Sequence, residues 1–121
     1  MMEVNALGVL SGFRAYYPAM KKGGLYAAIT AGGGTFLMED PLFPAYVVSK
    51  TAANKLVQTI KNTVSDVRVC AIHQGRVNTP MGRTTAQIEP EESASGIYNI
   101  LTSKGNLPFW FLNYDGSPLQ I

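Results

Sequence analysis

Two six-residue runs constrain this chain more than anything else in it. Leu25-Tyr26-Ala27-Ala28-Ile29-Thr30 and Val67-Arg68-Val69-Cys70-Ala71-Ile72 are short and apolar, with Arg68 the one plainly polar member of the second. A strand without a polar face has to be covered on both sides, which is the situation of strands in parallel sheets flanked by helices. Between the runs, Val48, Ala52, Leu56 and Ile60 recur at i+4 steps and Tyr46 to Thr63 contains no Gly or Pro. That segment is predicted to be a helix of about five turns. Ahead of the first run, Ala6, Val9, Leu10, Phe13, Tyr16, Tyr17 and Met20 share one side of a helix over residues 4–21, weakened by Pro18 and stopped by Gly23-Gly24. After the second, Glu89-Pro90-Glu91-Glu92 opens a shorter helix, because Pro suits a first turn and carboxylates suit the positive end of the helix dipole. Phe109 to Tyr114 reads as a last strand, closed by the turn pair Asp115-Gly116. Residues 31–45 and 73–88 are predicted loops. The order αβαβαβ argues for an α/β fold with a parallel sheet, built as one domain over residues 1–121.

Composition removes several functions. Ten Lys plus Arg against eight Asp plus Glu leave a net charge of +2, too small an imbalance for a polyanionic partner, so no nucleic acid is expected. The single cysteine, Cys70, has no internal disulfide partner, and a cytoplasmic location is the expectation. No apolar run reaches membrane-spanning length, and Glu3 and Arg14 break up the N-terminal stretch where a signal peptide would sit, so no membrane is expected either. His73 stands without Cys, His or carboxylate neighbours at ligand spacing, and no metal site is expected.

In open parallel sheets, ligands bind beyond the carboxyl ends of the strands. Three features fall there: the glycine-rich stretch after Thr30, the pair Tyr46 and Lys50 at the start of the next helix, and residues 73–79. Tyr46 and Lys50 are four apart and project from the same face of the helix. A phenol is an idle acid-base group at neutral pH, but a cation beside it favours the ionised form, so the pair could move a proton to or from a substrate oxygen. Spacing alone does not decide this. Tyr17 and Lys21 repeat it at the far end of a helix, where a core aromatic and a solvated lysine are the simpler reading.

Taken together, these segments resemble the C-terminal part of the short-chain dehydrogenase/reductase family. The family's Tyr-x-x-x-Lys is similar to Tyr46-Val47-Val48-Ser49-Lys50, followed by Thr51-Ala52-Ala53-Asn54, and its Val-Asn-x-x-Gly is similar to Val4-Asn5-Ala6-Leu7-Gly8. The Pro-Gly-x-Val-x-Thr segment resembles Gln74-Gly75-Arg76-Val77-Asn78-Thr79, and the closing strand with its Asp-Gly turn resembles Phe111 to Gly116. The resemblance implies a partial Rossmann-like sheet lacking the N-terminal dinucleotide-binding half. It implies an NAD- or NADP-dependent oxidoreductase acting on a small-molecule carbonyl or secondary alcohol. Tyr46 would be the proton donor or acceptor. Lys50 would favour the phenolate and hold the nicotinamide ribose hydroxyls. Asn5 would anchor a water relaying protons to Lys50, and Val77 and Thr79, in the loop that Gly75 opens, would fix the nicotinamide carboxamide.

The sequence also departs from the family's pattern. Where the family carries Ser-Ser-x-x-Gly-Ser, this chain reads Thr30-Ala31-Gly32-Gly33-Gly34-Thr35, and Ala31 replaces the serine that hydrogen-bonds the substrate carbonyl. Losing one such donor costs on the order of 100- to 1,000-fold in rate. Gln74 replaces the family's proline. Gly32-Gly33-Gly34 precedes no helix, so it does not supply the dipole-backed phosphate cradle. The alternative to an enzyme is a non-catalytic remnant or interaction module that retains the helix pair through which the family dimerises. A bare strand edge at Leu25 to Thr30 would make the chain a homo-oligomer or prone to aggregate, and a lysine at Ala27 or Ala28 is expected to block that edge.

Overall fold

The computed structural model describes residues 2–30, 44–75 and 88–120. The glycine-rich stretch with Ala31 and the segment containing Val77 and Thr79 lie outside them. Three strands, β1 (Leu25–Thr30), β2 (Arg68–His73) and β3 (Phe111–Asn113), form a parallel sheet in the order β1-β2-β3. Leu25 pairs with Arg68 and Thr30 with His73, while Ala71 pairs with Phe111 and His73 with Asn113. The helices α1 (Gly8–Tyr16), α2 (Pro44–Thr63) and α3 (Pro90–Thr102) complete the predicted αβαβαβ order.

Alternation along each strand sorts the core into two layers. Tyr26, Ala28, Val69, Ala71 and Phe111 face Phe13 of α1 and Val57 and Ile60 of α2. Leu25, Ala27, Cys70, Ile72 and Leu112 pack instead with Ile97 and Ile100 of α3. Both faces are covered, which is why neither long strand has a polar side. Cys70, fully buried, has its thiol pushed up to about 12 by desolvation and serves as a small core residue. Because the strand order is monotonic while α2 and α3 lie on opposite faces, the two crossovers have opposite hand. One of them departs from the right-handed preference of parallel connections.

Several element boundaries differ from expectation for local reasons. The helix predicted over 4–21 is three pieces: a π-helical turn at Glu3–Leu7, α1, and a 3-10 turn at Tyr17–Ala19 that accommodates Pro18. The second helix starts at Pro44 rather than Tyr46, since a first-turn proline forfeits no helical hydrogen bond. The last strand is three residues long because the chain turns back at once. Gly116 takes a positive φ of 89°, Leu112 bridges Pro118, and the Leu119 amide donates to the Phe111 carbonyl. At the amino end of the sheet, the Arg68 guanidinium donates to the carbonyls of Gly23, Ser103 and Gly105, tying the turn before β1 to the chain after α3.

Among the described residues β1 pairs on one side only, so its outer edge is open. The two alanines are not equivalent there. Ala28 is buried against the α1 and α2 layer, so a lysine in its place would bury a charge in the core, contrary to the expectation that either position serves. Ile29, on the opposite face and 46% exposed, is the accessible position.

Candidate active site

In a parallel βαβ unit the crossover helix begins at the carboxyl end of the sheet, so the first turns of α2 stand beside the ends of β1 and β2. The register there places Thr30, His73 and Asn113 in one row. They have the same parity as Ala28, Ala71 and Phe111 and therefore share the face covered by α1 and α2. Thr30 is 3% exposed, and its hydroxyl has no hydrogen-bond partner among the described residues. Burial holds the His73 imidazole below its ordinary pKa, favouring its neutral form.

Tyr46 and Lys50 occupy successive turns at the start of α2, as their spacing predicts. The Lys50 ammonium lies 5.7 Å from the centroid of the Tyr46 ring, within the range of cation–π attraction. Tyr46 is 37% exposed, open enough to meet a small molecule, whereas Lys50 is half-buried and desolvation lowers its pKa. The arrangement places the ammonium over the face of the phenol ring.

Asn5 reaches the same turns from the π-helical segment. Its Nδ2 donates to Ser49 Oγ at 3.1 Å, and Ser49 Oγ donates in turn to the Tyr46 carbonyl at 2.7 Å. The structure therefore brings Asn5, Tyr46 and Lys50 into one cluster, and the Asn5 side chain engages Ser49. In the sequence Ser49 figures only as one residue of the Tyr46-to-Lys50 segment. A helical serine bonding back to the i−3 carbonyl is a familiar local pattern, but its second partner is 44 positions away and invisible to any local spacing.

Gly75 is held where β2 leaves the sheet. Its φ is +83°, a left-handed conformation, and a Cβ there would lie 2.5 Å from Ile88 Cδ1 and 3.0 Å from Tyr114 Cδ1. Ser93, buried in the first turns of α3, donates from Oγ to the Gln74 carbonyl at 2.6 Å. The residue that stands in for the family's proline is thus latched by its backbone oxygen. Nothing in the local sequence signalled Ser93. Among the described residues no group of three or more His, Cys, Asp and Glu could hold a metal ion, and no helix is long and apolar enough to cross a membrane.

A sequence model described as short chain dehydrogenase matches residues 1–90. The short-chain dehydrogenase srdF of Neurospora crassa is 34% identical over 92 residues, which cover 70% of this chain and 36% of that protein. The short chain dehydrogenase gsfK of Penicillium aethiopicum is 27% identical over 140 residues, covering 98% of this chain and 56% of that protein. Among solved structures, a carbonyl reductase of Pseudomonas aeruginosa PAO1 in complex with NADP superposes with a TM-score of 0.83 at 26% identity, over 98% of this chain and 54% of that one. The carbonyl reductase Sniffer of D. melanogaster shares the fold, with a TM-score of 0.81 at 20% identity over 98% of this chain and 54% of that one. The chain spans about half the length of these structures. A parallel sheet with α2 and α3 on opposite faces, a Tyr-x-x-x-Lys helix at its carboxyl end and a family match over three quarters of the residues agree with one another: the chain belongs to the short-chain dehydrogenase family.

Proposed function

We propose that this chain carries the proton-transfer part of an NAD(P)-dependent oxidoreductase acting on a small-molecule carbonyl or secondary alcohol, folded as a single unit over residues 1–121. The observation that carries the reading is the Lys50 ammonium over the Tyr46 ring on the first turns of α2, with Asn5 drawn to the same place. A bound nicotinamide would supply or accept the hydride at the substrate carbon. Tyr46 gives its hydroxyl proton to the substrate oxygen in reduction, or takes one back in oxidation. Lys50 offsets the negative charge left on the phenolic oxygen and offers its ammonium to the ribose hydroxyls. Asn5 belongs to the proton path toward Lys50, and Gly75, Val77 and Thr79 to the carboxamide end.

The described residues fit one end of such a cofactor and not the other. Lys50 suits the ribose. The pyrophosphate needs a helix N-terminus backed by glycines, whereas α3 opens with Pro90, Glu91 and Glu92, whose carboxylates repel phosphate, and α1 continues from the π-helical turn. A second reading rests on Val4, Leu7 and Val48, which are exposed apolar side chains on the π-helical turn and α2. They suit a homo-oligomeric interaction module built on this helix pair. A cytosolic setting accords with one free, buried cysteine.

The test is a fusion of this chain to the cofactor-binding half of the Pseudomonas carbonyl reductase, assayed for NADPH-dependent reduction of a carbonyl panel. Turnover that Tyr46→Phe abolishes and Ala31→Ser raises supports the enzyme reading. A folded fusion with no turnover on any carbonyl, even with Ala31→Ser, leaves the interaction module.

A further inference from the structure

The hydroxyl of Ser49 bonds two partners at once. It donates its proton to the Tyr46 carbonyl and accepts the Asn5 amide, and the residue is 0% exposed, so water does not compete for either bond. The two bonds differ in kind. The bond to Tyr46 is local and arises in many helices. The bond from Asn5 crosses 44 residues and comes from a π-helical turn, whose wider winding shifts a side chain out of the ordinary helical phase. In the helix, the Tyr46 carbonyl is also the i−4 acceptor of the Lys50 amide. One oxygen therefore receives both the Ser49 hydroxyl and the backbone of the residue whose ammonium sits over the Tyr46 ring. Since that ring is 37% exposed, packing alone does little to orient it.

We infer that Ser49 is a positioning residue: its buried hydroxyl ties Asn5 to the Tyr46 carbonyl and thereby sets the turn that presents Tyr46 and Lys50 together. The inference rests on the proton-transfer role proposed for those two residues, but its test needs neither cofactor nor turnover. In the 121-residue chain with carbon-13 in Lys50 and Tyr46, the ring should displace the Lys50 ε-methylene proton signals upfield, and cross-peaks should join those protons to the Tyr46 ring. Ser49→Ala should abolish both signals while the core methyl signals of Val57, Ile60 and Ile72 stay in place. Unchanged Lys50 and Tyr46 signals in a folded Ser49→Ala variant would overturn the inference, as would absence of the displaced signal in the unaltered chain. If Ser49→Ala does not fold, Asn5→Ala, which cuts the long-range bond alone, is read the same way. Unfolding of both variants also overturns it, because the two bonds then serve the scaffold rather than the site. A fusion enzyme without turnover would leave these signals intact, so failure of the functional reading and failure of this one are separable.

Discussion

Thr30→Val should stabilise the protein. Thr30 sits at the carboxyl end of β1 with 3% of its surface exposed, and its hydroxyl has no partner among the described residues. Leaving a buried hydroxyl unpaired costs about 1–3 kcal/mol, and valine replaces it with a methyl of nearly the same shape. The new methyl adds up to about 0.8 kcal/mol of apolar burial. Both side chains are β-branched, so strand propensity hardly changes. The expected gain is about 1–3 kcal/mol, and for a chain of this size each kcal/mol raises Tm by roughly 4 °C. Urea unfolding followed by the fluorescence of Trp110, which is 6% exposed, should show a higher midpoint with an unchanged slope. A variant destabilised by about 1 kcal/mol or more would refute the reasoning, since it would mean that the hydroxyl is hydrogen-bonded in solution. In the fusion enzyme the same substitution separates two uses of this position. A rate that falls while stability rises would make Thr30 the donor to the substrate oxygen in the role of the serine that Ala31 replaces.

The chain by itself should show no saturable NAD(H) or NADP(H) binding in the micromolar range by calorimetry, where an affinity of roughly −8 kcal/mol would be visible; a clean micromolar isotherm would contradict the reading that the described residues offer no phosphate cradle. Light scattering at tens of micromolar should find the chain associated through the open edge of β1. Ile29→Lys should reduce that association and Ala28→Lys should unfold the protein, so a stable monomer would show the edge to be covered. Burial lowers the pKa of His73 in the folded state, so the unfolded chain takes up a proton first as pH falls. Stability should be fully present above pH about 6.5 and decline below it. His73→Gln should flatten that part of the profile in urea titrations at pH 5 and 7, and an unchanged slope would place the dependence elsewhere.

What the sequence determined by itself is what short range can encode. The six residues of β1 were legible because an apolar run bounded by Gly23-Gly24 has few other fates. Tyr46 and Lys50 were legible as neighbours because i+4 spacing on a helix places them so wherever the helix goes. Gly75 was marked by the resemblance of its segment, and its positive φ is seen only in the structure. Only the tertiary structure decided the rest. Alternation gives Ala27 and Ala28 opposite parities, but which of them meets the α1 and α2 layer depends on where the helices pack. Periodicity marks an apolar stripe on α2 and on α3 without saying that they cover opposite faces, because a stripe fits either side of a sheet that is apolar on both. Ser49 and Ser93 became visible only with their partners, 44 and 19 residues away. A hydroxyl commits to a long-range bond only when packed layers bring a donor or acceptor within about 3 Å and exclude water from it, and no local pattern of residues records that meeting.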